Sequence, residues 1–253
     1  MQINCDLGES YGSWQMGNDA KIMPLIDQAN IATGFHAGDP VTMRRSIELA
    51  KQHQVAIGAH PAYPDLHGFG RRSMKIAPAE LADLLLYQVS ALDGMAQSLH
   101  AELTYLKPHG ALYHDMMTNI DVMAVVVSVV QQFYRPLTLM VQALPWHNPV
   151  YQPIQTLLSQ SGIDCWYEVF ADRRYHNDGR LVSRAEPGAV LTTQELKQQV
   201  CSLVCHRSVT TLEGEQLALA ADTLCVHGDS DRAVQNAQVV RALISDNTTT
   251  KNN

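Results

Sequence analysis

Several signatures are missing from this 253-residue chain, and each absence closes a class of function. No uninterrupted apolar run approaches the roughly 18 residues of a membrane span. No basic block is present, and the net charge of −7 argues against a generic nucleic-acid surface. The N-terminus enters Ile3-Asn-Cys-Asp directly, without the basic, apolar and small-residue order of a secretory signal. Cysteines are few, odd in number and scattered, at 5, 165, 201, 205 and 225. They are expected to be free thiols in a reducing compartment, the cytoplasm. Cys201-x-x-x-Cys205-His206 falls on an expected helix and reads as buried small residues. No H-E-x-x-H or C-x-x-C marks a ready-made zinc site. No G-x-G-x-x-G follows the first strand and no P-loop occurs, so a nucleotide would have to bind without either. A nucleophilic Ser or Cys has no recognisable setting.

What remains is a core-rich α/β pattern. The apolar fraction is 46% and the charged fraction 17%. Strands are expected at 2–5, 29–33, 55–59, 103–106, 137–141, 163–169 and 223–226, alternating with helices. The stretch from Ala29 to Pro40 sets the pattern: a short apolar strand, two glycines around His36, then Asp39 and Pro40 placed to cap and open a helix. Thr192-Thr-Gln-Glu195 matches a capping box, residues 209–219 suggest a small hairpin, and the last helix is expected over 230–244. A length near 250 and right-handed crossovers favour one parallel (β/α) barrel of about seven strands over residues 1–246. The polar segment 247–253 is expected to be a disordered tail.

Such barrels place their chemistry at the carboxyl ends of the strands. Six of the seven expected strands end in ionisable groups: Asp6 and Glu9; His36 and Asp39; His60; Lys107 and His109; Glu168 and Asp172; His227 and Asp229. A lone strand-end Asp is usually a cap, and a lone His usually a hydrogen-bonded structural group. Their recurrence at one mouth predicts a single polar pocket. Carboxylates beside imidazoles and an amine suit general acid–base work, and they also suit metal ligation. Arg71-Arg72 closes a long Gly- and Pro-containing loop from Tyr63, expected to cover the pocket partly, and Arg173-Arg174 follows Asp172. A guanidinium fork matches carboxylate or phosphate, so both pairs are candidates for anion binding.

Asn4-Cys-Asp-Leu-Gly-Glu9, Asn30 to Pro40, Gly58-Ala-His-Pro61, Gly68-Phe-Gly-Arg-Arg72, Lys107-Pro-His-Gly-Ala-Leu-Tyr113, Glu168-Val-Phe-Ala-Asp-Arg173 and Cys225-Val-His-Gly-Asp229 together resemble the LamB/YcsF family over residues 2–244. Thr33 departs from that pattern, which commonly has Cys there. The resemblance implies a barrel related to the glycoside hydrolase/deacetylase group. It also implies work as the A subunit of a bacterial ATP-dependent 5-oxoprolinase, which converts 5-oxo-L-proline to L-glutamate with subunits B and C. ATP would be co-substrate, and a divalent metal stays open. Within that reading, Lys107 and an arginine hold anionic oxygens. Asp6, Glu168 or Asp229 handles water, and His36, His60, His109 or His227 relays protons. Asp39, Arg71, Arg72, Asp172, Arg173 and Asp229 are expected to contact substrate. Two readings of other classes stand beside it: a metal-dependent deacetylase or amidohydrolase, and a non-catalytic lactam-binding subunit.

Overall fold

The computed structural model describes residues 1–184, 186–228 and 232–249, with backbone alone at 247–249. Parallel strands β1 (Gln2–Leu7), β2 (Gln28–Ala32), β3 (Ala56–His60), β4 (Leu103–Leu106), β5 (Thr138–Gln142) and β6 (Cys165–Phe170) pair in chain order. A hairpin of β7 (Ser208–Thr210) and β8 (Gln216–Ala218) stands apart, and β9 (Thr223–Cys225) closes the barrel between β6 and β1. The seven-stranded parallel barrel expected from the strand–helix alternation is therefore the architecture. The register sets Asp6 beside Asn30, Ala32 beside His60 and Glu168 beside Thr223, so the ionisable strand ends share one rim.

Helices α1 (Asp19–Ile22), α2 (Pro40–Gln52), α3 (Pro78–Ser98), α4 (Gly110–Thr118), α5 (Ile120–Gln132), α6 (Gln152–Ser161), α7 (Thr193–His206) and α8 (Ala233–Thr249) complete the chain. Their apolar stripes are buried: Ile47 on α2, Leu85 and Leu92 on α3, Met123 and Val126 on α5, Leu196 and Leu203 on α7. Thr192 and Glu195 form the expected reciprocal capping box on α7. Two boundaries differ from expectation. α4 occupies a stretch for which no element was expected, and Ala111, Leu112, Tyr113, Met116 and Met117 all find burial there. The final helix runs past residue 246 to Thr249, into the segment expected to be a disordered tail; residues 250–253 lie outside the described residues. No helix among the described residues is long and apolar enough to cross a membrane, and all five cysteines are free.

The floor of the barrel depends on a missing side chain. An ideal Cβ on Gly58 would sit 2.1 Å from the Tyr105 ring, whose hydroxyl donates to Asn30 Oδ1 at 2.6 Å. Gly58→Ala must therefore displace a fully buried ring. It should cost about 3 kcal/mol or more, read as a lowered urea midpoint. An unchanged midpoint would mean that the ring has room to move.

Candidate active site

The site begins with Asn4 and Asp6, which point inward from β1. Asn30 on β2 donates to Asp6 Oδ1 at 2.7 Å and to Asn4 Oδ1 at 2.8 Å. These amides fix the carboxylate before any charge partner is counted. Lys107, just past β4, brings its ammonium to Asp6 Oδ1 at 3.0 Å, to Glu168 Oε1 at 2.7 Å and to Asn4 Oδ1 at 3.2 Å. Tyr113 on α4 donates to the other Glu168 oxygen at 2.9 Å. Lys107 is only 2% exposed and Glu168 is fully buried. Burial opposes the lysine charge, yet Asp6 and Glu168 outweigh it and hold the ammonium well above its ordinary pKa. Burial likewise pushes Asp6 upward, but His60 and Lys107 prevail and keep it well below the usual carboxylate range. Cys225 lies 3.4 Å from the ammonium, and burial pushes its thiol pKa up, so it stays protonated.

Four further groups lie beside this triad. His60 Nδ1 donates to the Lys107 carbonyl at 2.7 Å, and His109 Nε2 donates to the Phe69 carbonyl at 2.9 Å. Their other nitrogens face each other at 3.0 Å. His36 stacks on His109 at 3.7 Å between ring centroids, with its Nε2 3.3 Å from Glu9 Oε1. Burial, then the neighbouring imidazoles, pushes His36 and His109 well below the usual histidine range. Glu9, His36, His60 and His109 offer ligand atoms all within 4.8 Å of one another, so this group could hold a metal. Asp6, Cys225 and His227 form a second such group, but the Lys107 ammonium already touches two of its members.

Also close to Asp6, His227 Nδ1 meets Asp172 Oδ1 at 2.8 Å. Burial would raise Asp172, but the facing His227 dominates and holds it below its ordinary value. Arg173 is buried. One of its NH2 groups donates to the Val182 carbonyl at 2.6 Å, and its Nε has no hydrogen-bond partner. Burial and then Arg184 lower its pKa to about 10.

These walls enclose a cavity of about 520 Å³ at the carboxyl mouth of the barrel. Asp6, Glu9, His60, Lys107, His109, His227, Arg71 and Arg173 line it as expected. His36, Glu168 and Asp172 stand directly behind that lining. Two expected contacts are corrected. Asp39 caps α2 through Val41 and Thr42 and accepts from Gly12, so its carboxylate is committed to backbone. Arg72 pairs with Asp65 within its own loop, at 3.0 Å from Nε, and does not line the cavity. Asp229 lies outside the described residues. The loop itself does cover the pocket. Gly70 packs where a Cβ would lie 2.8 Å from both His109 and His36, at a φ of +65° that favours glycine.

Arg184, His114, Tyr113, Asn4 and Asn30 were missed from the sequence. The signal for the two asparagines was available, as polar residues inside otherwise apolar strands. The expectation that no serine has a recognisable setting is corrected in one respect, because Gly8-x-Ser10-x-Gly12 does match G-x-S-x-G; the half-buried Ser10 hydroxyl bonds the Met16 backbone, so no nucleophile elbow is built there.

The LamB/YcsF family model matches residues 1–253. The chain is 46% identical over 240 residues to the A subunit of 5-oxoprolinase from Chromohalobacter salexigens, covering 94% of each. It is 44% identical over 247 residues to the A subunit of 5-oxoprolinase from Vibrio cholerae serotype O1, covering 97% of this chain and 98% of that one. The crystal structure of the lactam utilization protein from Thermus thermophilus superposes with a TM-score of 0.87 at 36% identity, covering 97% of this chain and 96% of that one.

The triad predicts an inverted pH response. In the wild type, the depressed Asp6 pKa stabilises the fold above its unfolded value of about 3.9, and that stability is lost as pH falls through the folded value. Lys107→Met strands two buried carboxylates and should cost about 3–5 kcal/mol at pH 7. Without the ammonium, burial raises the Asp6 pKa, so the variant should regain stability from pH 7 towards pH 5 as that carboxyl takes up a proton. Thermal unfolding across that range checks it; a constant deficit would show that the carboxylates are solvated.

Proposed function

The chain belongs to the LamB/YcsF family, and on that premise we propose that it is the A subunit of an ATP-dependent 5-oxoprolinase, opening 5-oxo-L-proline to L-glutamate with subunits B and C. The names of its relatives support the reaction class. The observation that carries the reading is a cavity lined by both signs of charge. Arg71, Arg173 and Arg184 line it together with Asp6 and Lys107, and Glu168 stands directly behind the lysine.

A five-membered lactam is a stable amide with a poor leaving nitrogen. Phosphorylation of its carbonyl oxygen by ATP makes the ring carbon electrophilic. Water then adds there, the ring C–N bond breaks to leave γ-glutamyl phosphate, and a second water releases inorganic phosphate and L-glutamate. The substrate carboxylate, and any phosphoryl group, meets the guanidinium forks. Asp172 accepts from His227 Nδ1, so the other ring nitrogen carries the lone pair. That nitrogen takes a proton from water and returns it to the departing ring nitrogen. A carboxylate oxygen of Asp6 and a ring nitrogen of His227 lie within 4.8 Å of each other, close enough to share one water. Lys107 serves here as a charge partner that, with His60, keeps Asp6 ionised. This replaces the direct hold on substrate oxygen expected from sequence.

The Glu9–His36–His60–His109 group favours one second reading, a metal-dependent amidohydrolase or deacetylase. Reconstitution with the partner subunits separates the two when glutamate and ADP are assayed together. Coupled formation of both is expected, and glutamate release without nucleotide favours the second reading. In the same assay, His227→Asn should lower turnover by about 10²–10⁴ while assembly survives. Near-normal turnover would remove His227 from the proton path.

A further inference from the structure

His60 and His109 pose a problem that neutral imidazoles do not solve. A carbonyl oxygen only accepts, so the bonds to the Lys107 and Phe69 carbonyls place the protons on His60 Nδ1 and His109 Nε2. His60 Nε2 and His109 Nδ1 then turn lone pairs on each other at 3.0 Å, in a pocket where the two residues are 1% and 5% exposed. Two facing lone pairs at that distance need a cation between or beside them. Carbonyl bonds of this kind are how proteins fix the tautomer of a metal-ligating histidine.

The surrounding donors have the spacing of a small coordination shell. Glu9 Oε1 lies 3.6 Å from His109 Nδ1, and His36 Nε2 lies 3.3 Å from the same oxygen. With ligand bonds of about 2.0–2.1 Å, a tetrahedral ion sets neighbouring donors about 3.3 Å apart. The separations of 3.0 Å from His60 Nε2 to His109 Nδ1 and 3.6 Å from His109 Nδ1 to Glu9 Oε1 bracket that edge. His36 Nδ1 is buried without a hydrogen-bond partner, which adds a second polar atom left incomplete at the cluster.

We propose that Glu9, His60 and His109 bind one divalent transition-metal ion of the zinc type through Glu9 Oε1, His60 Nε2 and His109 Nδ1. His36 is assigned to the surrounding shell. Its ring lies parallel to His109 at an interplanar angle of 5° and a centroid separation of 3.7 Å, so an ion in the plane of one ring is out of the plane of the other. It holds Glu9 and packs the site. Two nitrogens and one carboxylate oxygen suit Zn²⁺ or Co²⁺ better than Mg²⁺ or Ca²⁺, which prefer oxygen shells. Three protein ligands leave a position facing the cavity, which Glu9, His60 and His109 all line. The site stands independently of the reaction proposed above, because the chain alone should take up the ion without nucleotide, substrate or partner subunits.

The test is titration of the chelator-stripped full-length chain with Co²⁺, followed by visible absorption, and with Zn²⁺, followed by calorimetry. One equivalent should bind, with the intense d–d bands of a low-coordinate nitrogen–oxygen site. His60→Gln and His109→Gln should each weaken binding by more than about tenfold, the scale on which even outer-shell partners matter. His36→Gln should weaken it less. Because buried variants can misfold, imidazole ¹⁵N NMR of the wild type supplies a second reading. Zn²⁺ should shift His60 Nε2 and His109 Nδ1 and leave both N–H tautomers unchanged. No uptake at micromolar metal would overturn the site. So would a shared proton between the two imidazoles that metal does not displace. A loss with His36→Gln equal to the others would overturn the three-ligand assignment.

Discussion

A single ammonium group inside the barrel sets the terms for everything at its mouth. Lys107 reaches in from the end of β4 and joins Asp6 of β1 to Glu168 of β6, with Cys225 of β9 beside it. Each of these charges costs several kcal/mol to remove from water, and none is tolerable there alone. Their mutual compensation, with amide donation from Asn30 and hydroxyl donation from Tyr113, keeps charge at the base of a cavity whose lining also holds Glu9, Arg71, Arg173 and Arg184. The triad sets two carboxyl groups against one ammonium, and Arg71, Arg173 and Arg184 line the same cavity.

The ionised floor orders the imidazoles around it. His60 is held by the Lys107 carbonyl and approaches Asp6 at 3.4 Å, so the backbone that delivers the lysine also orients the first histidine. His109 follows at the start of α4 and takes its own orientation from the covering loop at Phe69. His227 and Asp172 are built separately, from the ends of β9 and β6. The pocket therefore holds two differently prepared sets of imidazoles. One is clustered with Glu9 and poised for a cation. The other is a single histidine oriented by a carboxylate and poised for proton transfer. The two sets occupy distinct positions at one mouth.

Much of this was legible in the sequence because barrel geometry converts a linear pattern into proximity. A strand followed by an ionisable residue recurs along the chain, and parallel register alone carries those ends to one rim. What failed was local. Asp39 and Arg72 have the right residue type and place, but their nearest backbone and side-chain neighbours satisfy them first. No element was expected at α4, where the apolar side chains from Ala111 to Met117 reward a helix that starts directly at the glycine. Arg184 sits in an irregular stretch that no periodicity organises. Its place at the cavity follows only from how residues 181–184 fold back over the mouth. The commitment of Lys107 to two carboxylates at once was likewise invisible, since Glu168 is 61 positions away and on another strand.

The ionisation state of Lys107 is the most direct point of contact with experiment. Nitrogen-detected NMR on lysine-labelled protein reports whether the side-chain nitrogen is an ammonium or a free amine. A buried ammonium between Asp6 and Glu168 should give a slowly exchanging signal that persists at pH 10.5, the ordinary lysine pKa, where an unperturbed lysine is half neutral. A signal that titrates to the neutral amine near pH 8 would contradict the charged floor, and with it the ionised Asp6 and Glu168 on which the arrangement of the site depends.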